Sequence, residues 1–264
     1  GIDDGEEQTV LDFGIKKGMN KGIIGNADAS IGTHNRYAER LMGALFKDKS
    51  RVMLMGNANN TNDKGFPGGG GGGHFGGGLK GLNSSKMMGA NLNYNRNKIF
   101  ILDGSIRWNH SNGDVRTEQS TENFVSNIGS FSNSFNQNYT RSNSWDARLR
   151  MEWKPDTMTN IMFRPTIKYS TSDGLSSSTS ASYNDDPYLY VTNPLSPESI
   201  LQMAEDSLMV NTRKNNSITY SENKSLGIML QINRKLNSKG RNVTLRTNVT
   251  YNDNKSKSLS TSNV

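Results

Sequence analysis

Trp145, Ala147, Leu149, Met151 and Trp153 occupy every second position of one segment, and Asp146, Arg148, Arg150 and Glu152 occupy the positions between. The same alternation runs through Phe100, Leu102, Gly104, Ile106 and Trp108, with Asp103, Ser105 and Arg107 between them. It returns in Ile161, Phe163, Pro165, Ile167 and Tyr169, set against Met162, Arg164, Thr166 and Lys168. A fourth case is Val243, Leu245, Thr247, Val249 and Tyr251, set against Thr244, Arg246, Asn248 and Thr250. Side chains on a strand point to opposite faces at period two, so each segment predicts a strand with one apolar and one charged face. Eight residue steps separate the ends of each apolar face. They span roughly 26 Å, or about 20 Å along a barrel axis at a tilt near 40°. An outer-membrane barrel presents an outward apolar band about 25 Å tall, with aromatic girdles at both rims. The pattern predicts such a band, with Phe100, Trp108, Trp145, Trp153, Tyr169 and Tyr251 as its lipid-facing girdle. Leu149, Leu230 and Leu245 should share that side. Asp103, Arg107, Asp146, Arg148, Arg150, Glu152, Arg164, Lys168 and Arg246 are then the polar wall of the lumen.

The spacing of turns extends this to a meander. Polar tight turns are predicted at Lys47 to Ser50, Asn95 to Lys98, Lys154 to Met158 and Asn237 to Gly240. Strands are expected at Val10 to Lys17, Ile23 to Ile31, Tyr37 to Phe46, Arg51 to Asn59 and Met88 to Tyr94. The strand opened by Phe100 should run on to Thr121, followed by a Ser/Asn-rich loop and the return from Trp145 to Trp153. Asn160 to Tyr169, Ile218 to Leu236 and Asn242 to Tyr251 complete the series. Most other connections read as long: a Gly-rich loop from Asn60 to Ser84 and an excursion from Ser176 to Ser217. Alternating short and long connections mark an outer-membrane barrel, with the short turns on the periplasmic side. A soluble β-sandwich would show turn signals every 8 to 12 residues without that alternation. The fold class is therefore all-β, an antiparallel up-and-down meander forming an open part of a large transmembrane barrel.

Composition narrows the function classes. Of the 264 residues 32% are hydrophobic, and no stretch approaches the roughly 18 to 20 apolar residues of a transmembrane helix. There is no cysteine, which removes disulfides and thiolate metal sites. The net charge is +7, but Lys and Arg are spread along the whole chain rather than gathered in a patch, so no nucleic-acid partner is expected.

Candidate chemistry is sparse. The run Gly68 to Gly78 lacks the terminal Lys-Ser/Thr of a phosphate loop and reads as a flexible outer loop. His34, His74 and His110 have no metal-ligand spacing. Asp3, Asp4, Glu6 and Glu7 lack the alternate spacing of a calcium loop. Ser196-Pro197-Glu198 is a helix start, and a short helix from Pro197 to Met209 should pack through Ile200, Leu201, Ala204 and Leu208. It would sit on a loop, or serve as a lid over a pore mouth. No nucleophile, base and acid can be assembled, so no enzyme and no cofactor is expected. The charged faces should brace the wall by ion pairs between strands, or line a conduit or grip a plug.

Several segments resemble a known family. Val10-Leu-Asp-Phe-Gly-Ile-Lys-Lys-Gly18, the basic link to Gly22 and the Gly/Ala-rich strand to Gly32 are similar to the plug-to-barrel junction of TonB-dependent outer-membrane receptors. Gly56 to Phe66, Trp145 to Trp153 and Phe163-Arg-Pro165 are similar to a subgroup described as outer-membrane β-barrel proteins. The resemblance implies that residues 1–22 end a plug and link it to the barrel, and that residues 23–264 supply about nine strands of a 22-stranded wall. It implies a place in the cell outer membrane and energised uptake of a nutrient. The partners it implies are outer-membrane lipid, the chain's own plug and remaining strands, TonB and an unidentified nutrient. The chain starts at Gly1 and ends at Val264 just after a strand-like segment, and is expected to be an internal piece of a larger protein. A non-transporting barrel acting in adhesion or surface display stands as the alternative, and a soluble secreted sandwich that binds glycans as a third.

Overall fold

The computed structural model describes residues 21–61, 82–125, 128–237 and 240–264. Among them nine strands form one open antiparallel sheet in strict up-and-down order. They are β1 (Lys21–Gly32), β2 (Arg36–Lys47), β3 (Ser50–Asn59), β4 (Leu82–Arg96) and β5 (Phe100–Glu122). There follow β6 (Phe131–Trp153), β7 (Thr159–Tyr183), β8 (Met209–Lys235) and β9 (Asn242–Asn263). A single-turn 3-10 helix (Pro187–Leu189) and one α-helix, α1 (Pro197–Glu205), lie between β7 and β8. This is the arrangement of part of an up-and-down barrel, with β1 and β9 as its edges.

Connections are short at one end of the sheet and longer at the other, except for the three-residue β1–β2 connection. At one end of the sheet they take residues 48–49, 97–99, 154–158 and 236–241. At the other end they take 33–35, 60–81, 123–130 and 184–208. We refer to these as the turn end and the loop end. Local chemistry sets the turns. Asn97 and Lys98 both have positive φ (51° and 60°), and Ile99 N donates to Arg96 O at 2.9 Å, the geometry of a type I′ hairpin. Asn95 Oδ1 accepts from Lys98 N at 2.9 Å and braces that turn from the residue before it. In the next turn Asp156 accepts from Met158 N at 2.7 Å and from the Thr159 hydroxyl at 3.0 Å. Those bonds, the Met158 N–H foremost, hold the Asp156 carboxyl below its ordinary pKa.

The register places the apolar positions in continuous rows. Trp108 stands opposite Trp145, and Trp145 opposite Tyr169. Ile23, Leu45, Val52, Leu92 and Gly104 form another row, which Leu149 extends. The β6–β7 ladder has one interruption, between Arg148↔Thr166 and Met151↔Phe163. Pro165 lies there and has no N–H to donate.

Several boundaries differ from the sequence expectations. Lys21 and Gly22, expected in a link, already belong to β1, and Leu82 to Ser84, expected in the Gly-rich loop, belong to β4. The largest difference is strand length. β5 to β9 hold 22 to 27 residues each and run far past the aromatic row into Ser/Asn/Thr-rich sequence. The β7–β8 connection shrinks accordingly to residues 184–208. Polar residues on both faces leave no period-two hydrophobic signal, yet the backbone ladder does not require one. The expected strand at Val10 to Lys17, the stretch Gly68 to Gly78, the acidic residues Asp3 to Glu7, and His74 lie outside the described residues.

Candidate functional site

The polar face of β5 to β9 gathers the charged side chains. Arg107 (β5), Asp146 (β6) and Lys168 (β7) stand in one cross-strand row. Asp103 stands opposite Arg150, and Ser105, Arg148 and Thr166 form the row between. Glu152, Met162, Gln231 and Arg246 make a further row toward the turn end.

Among these residues Arg148 pairs with Asp146 at 2.9 Å, and Arg150 reaches Glu152 at 3.2 Å and Asp103 at 3.7 Å. Lys154 adds a contact to Glu152 at 3.4 Å, and Asn93 donates to Asp103. Most of the pairs link residues two apart on one strand. Of the nine expected wall residues, the pair Arg150–Asp103 alone crosses between strands, so the expected bracing network is thin. Exposed pairs of this kind contribute about 0 to 1 kcal/mol. Among the described residues no ion pair reaches Arg107, Arg164, Lys168 or Arg246; Arg246 instead donates to Met229 Sδ at 3.5 Å. Six cations therefore face three carboxylates on this wall. The arrangement suits an anionic or hydrogen-bond-rich solute or polypeptide surface. It offers no paired acid and base.

The opposite face is apolar and fringed at both ends. Phe100 stands opposite Trp153 near the turn end, with the Tyr94 ring 6.1 Å from Phe100. Trp108, Trp145 and Tyr169 form the other fringe, the two indoles 6.3 Å apart. Tyr251 lies one row closer to the turns than Tyr169, on the same face. Leu41, Leu45, Leu54, Ile106, Ile167, Leu245 and Val249 are all exposed on this side. Such a contiguous apolar surface requires a non-aqueous partner.

The helix of the 184–208 excursion packs on its own loop, through Val191, Leu195 and Leu208, but is shorter than expected and buries a different residue. α1 ends at Glu205, because Ser207 takes a positive φ of 59° and Leu208 N turns back to Met203 O at 3.0 Å. Its buried residue is Met203, with none of its side chain accessible, whereas Leu201 is 66% exposed. Met203 packs with Ala181 and Tyr183, flanked by Phe131, Val191, Leu195, Leu208 and Met209. Register carries Phe131, Ala181 and Tyr183 on the same face as Trp145 and Tyr169. The excursion therefore covers the apolar-face side of the strand extensions and is no lid over the polar face. A cavity of about 430 Å³ lies beneath it, lined by Ser120, Asn133, Phe135, Tyr188 and Asn193 among others. Asn133 donates to the Ser120 and Tyr188 hydroxyls there, each at 2.9 Å.

Tyr183 anchors the excursion through a hydroxyl that donates to Pro194 O at 2.6 Å. Burial pushes its pKa up to about 12, from 10.0 when free. The unfolded excursion loses this proton first, so the anchor is at full strength below about pH 10 and is lost as pH rises through about 12. Subtilisin should nick residues 184–208 much faster at about pH 11 than at about pH 9. Tyr183→Phe should remove most of that difference, and an unchanged pH step in this variant would contradict the assignment.

His34 sits in the β1–β2 turn and His110 on β5, where Nδ1 lies 2.7 Å from Asn143 Oδ1. They do not meet. No family model matches the chain, and no curated protein matches it. Among solved structures it is similar to "Copper transporter OprC", at 10% identity and a TM-score of 0.27 over 92% of this chain and 42% of that one. The chain thus spans less than half the length of that structure.

Proposed function

We propose that this chain is wall of an outer-membrane receptor of the TonB-dependent kind, taking part in energised uptake of a nutrient. The observation that carries the reading is the two-sided sheet. One face holds an apolar band with aromatic fringes at both ends, and the other holds the charges, in a meander whose longest connections all lie at one end. An apolar band of this height, with Trp and Tyr at its rims, matches lipid, and the cationic face then lines a wet interior. The short turns would face the periplasm, and the strand extensions with their helix-bearing excursion would stand above the outer surface. In this reading capture falls to the longer connections at the loop end, since the opposite turns at Asn97-Lys98 and Asp156 are tight.

Surface adhesion or display, without transport, has one observation in its favour. The cavity under the excursion lies on the apolar-face side of the extensions, away from the proposed lumen. Uptake assays separate the two readings. Cells lacking the protein and cells lacking TonB should share a growth defect on the cognate nutrient, restored by the wild-type gene. Growth indifferent to both losses across the candidate nutrients, with surface binding lost on deleting residues 184–208, would favour adhesion or display.

A further inference from the structure

The cavity under the excursion has one wall from the strand extensions and one from the excursion itself. Glu118 and Ser120 on β5, Asn133 and Phe135 on β6 and Thr179 on β7 line it from the sheet, in two adjacent cross-strand rows. Tyr188 and residues 192–195 line it from the other side. Its volume, about 430 Å³, falls within the roughly 300 to 1,000 Å³ of small-molecule sites. Phe135 precedes Trp145 by ten residues on β6, which is about 33 Å along the strand or roughly 25 Å along a barrel axis. The cavity therefore stands clear of the apolar band.

Both walls are held in place. Tyr183 donates to Pro194 O at 2.6 Å, and Leu195 packs against the Met203 cluster. Asp186 accepts from Tyr188 N at 3.0 Å and caps the single turn that carries the Tyr188 ring. Asn133 is 5% exposed and uses both hydrogens of its amide nitrogen on the Ser120 and Tyr188 hydroxyls. Those two hydroxyls lie 3.1 Å apart. The Asn133 Oδ1 acceptor is left without a hydrogen-bond partner among the described residues. An acceptor left free in so buried a side chain, at the wall of a cavity, calls for a donor from whatever fills that cavity.

The lining combines hydroxyls, amides, the rings of Phe135 and Tyr188, and one carboxylate, that of Glu118. It holds no Lys, Arg or His, and Lys214, opposite Thr179 on β8, lies outside it. A phosphate, sulfate or carboxylate ligand would meet Glu118 with no cation in the lining to offset the repulsion. A sugar hydroxyl fits both kinds of partner, since it donates to a carboxylate or amide oxygen and accepts from a phenol. The C–H face of a sugar ring can cover an aromatic side chain. We propose that this cavity binds a neutral saccharide, with Glu118, Asn133 and Tyr188 as its hydrogen-bonding groups and the Phe135 ring as its apolar floor. The site lies on the opposite face of the sheet from the charged wall, so it stands whether or not the chain transports. Two sources offer this chemistry: the glycan chains of the cell's own surface and glycans of its surroundings.

The test applies the full-length protein in detergent micelles to an array of immobilised probes. These are linear hexasaccharides of glucose, mannose and xylose, the polysaccharide released from the cell's own surface, and hexagalacturonate as the acidic counterpart. At least one neutral probe should bind, and hexagalacturonate should not. Capture of the cell's own polysaccharide alone would assign the site to the home surface, and capture of a hexasaccharide to an outside glycan. Titration calorimetry with the captured probe then reads the variants. Glu118→Gln and Tyr188→Phe, both at exposed residues, should each weaken binding about tenfold, with residues 184–208 as protease-resistant as in the wild type. Glu205→Gln, on α1 and outside the lining, should leave the affinity unchanged. Failure of every neutral probe to bind would overturn the proposal. So would hexagalacturonate binding as tightly as the neutral probes, or wild-type affinity in both Glu118→Gln and Tyr188→Phe.

Discussion

Leu149→Arg should prevent assembly of the wall, whereas Arg148→Leu should leave it intact. The two residues are neighbours in sequence and differ only in the face they take. Leu149 lies midway between Trp145 and Trp153, and its Cδ1 leans over Gly104, where an added Cβ would come within 3.3 Å. An arginine there projects from the middle of the apolar band, which costs about 2 to 4 kcal/mol in lipid. That is a shift of roughly 30-fold to nearly 1,000-fold in the folding equilibrium. Arg148 is exposed on the other face and pairs with Asp146 of its own strand. Without it Asp146 keeps Arg107 and Lys168 as its cross-strand neighbours, so the loss is that of one surface ion pair. Protease resistance of the protein in its native envelope reads the outcome. Equal defects in both variants would reject the assignment of faces.

Met203→Ala should release the outer excursion while leaving the sheet untouched. Met203 is fully buried, and it joins α1 to Ala181 and Tyr183 at the end of β7. Truncating a buried methionine to alanine costs about 2 to 5 kcal/mol. The excursion has no second buried cluster among the described residues to hold it. Amide exchange over residues 184–208 should rise by orders of magnitude, with protection of β5 to β8 inside the band unchanged. Retained protection of α1 in this variant would show that its anchor lies elsewhere.

The sequence was most legible where one face meets water and the other does not. Strict alternation from Phe100 to Trp108 and from Trp145 to Trp153 left one register for each strand, because a one-residue slip would carry Arg148 and Arg150 to the apolar face. Asn-Lys and Pro-Asp-Thr chemistry located the turns to within a residue or two. Strand extensions were illegible for the opposite reason. Ser176 to Ser182 faces Asn211 to Ser217 with almost no apolar residue on either strand, and no period distinguishes such a ladder from a solvated loop. In α1, Leu201 was expected to pack, but the reversal at Ser207 and Leu208 brings Met203 inward instead. The period-two pattern put the charged residues on one face, as the register does, but did not identify their partners, since i and i+2 neighbours on one strand meet as readily as residues on adjacent strands. The faces of β2 became legible only with the register, because Glu39 and Arg40 had left its phase ambiguous. Glu39 lies on the apolar-face side but just beyond the band, and Arg40 stands opposite Asp28 on the polar face.

The central claim is that one face of this sheet meets lipid, and the three tryptophans test it without any mutation. Trp108, Trp145 and Trp153 all lie on the apolar face, two at the outer fringe and one near the turns. The protein should be reconstituted into vesicles whose acyl chains carry bromine at graded depths, and tryptophan emission compared with that under aqueous iodide. The account predicts strong quenching by bromine placed near the headgroups, weaker quenching by bromine at the bilayer centre, and little quenching by iodide. Strong iodide quenching with no effect of brominated lipid at any depth would contradict it.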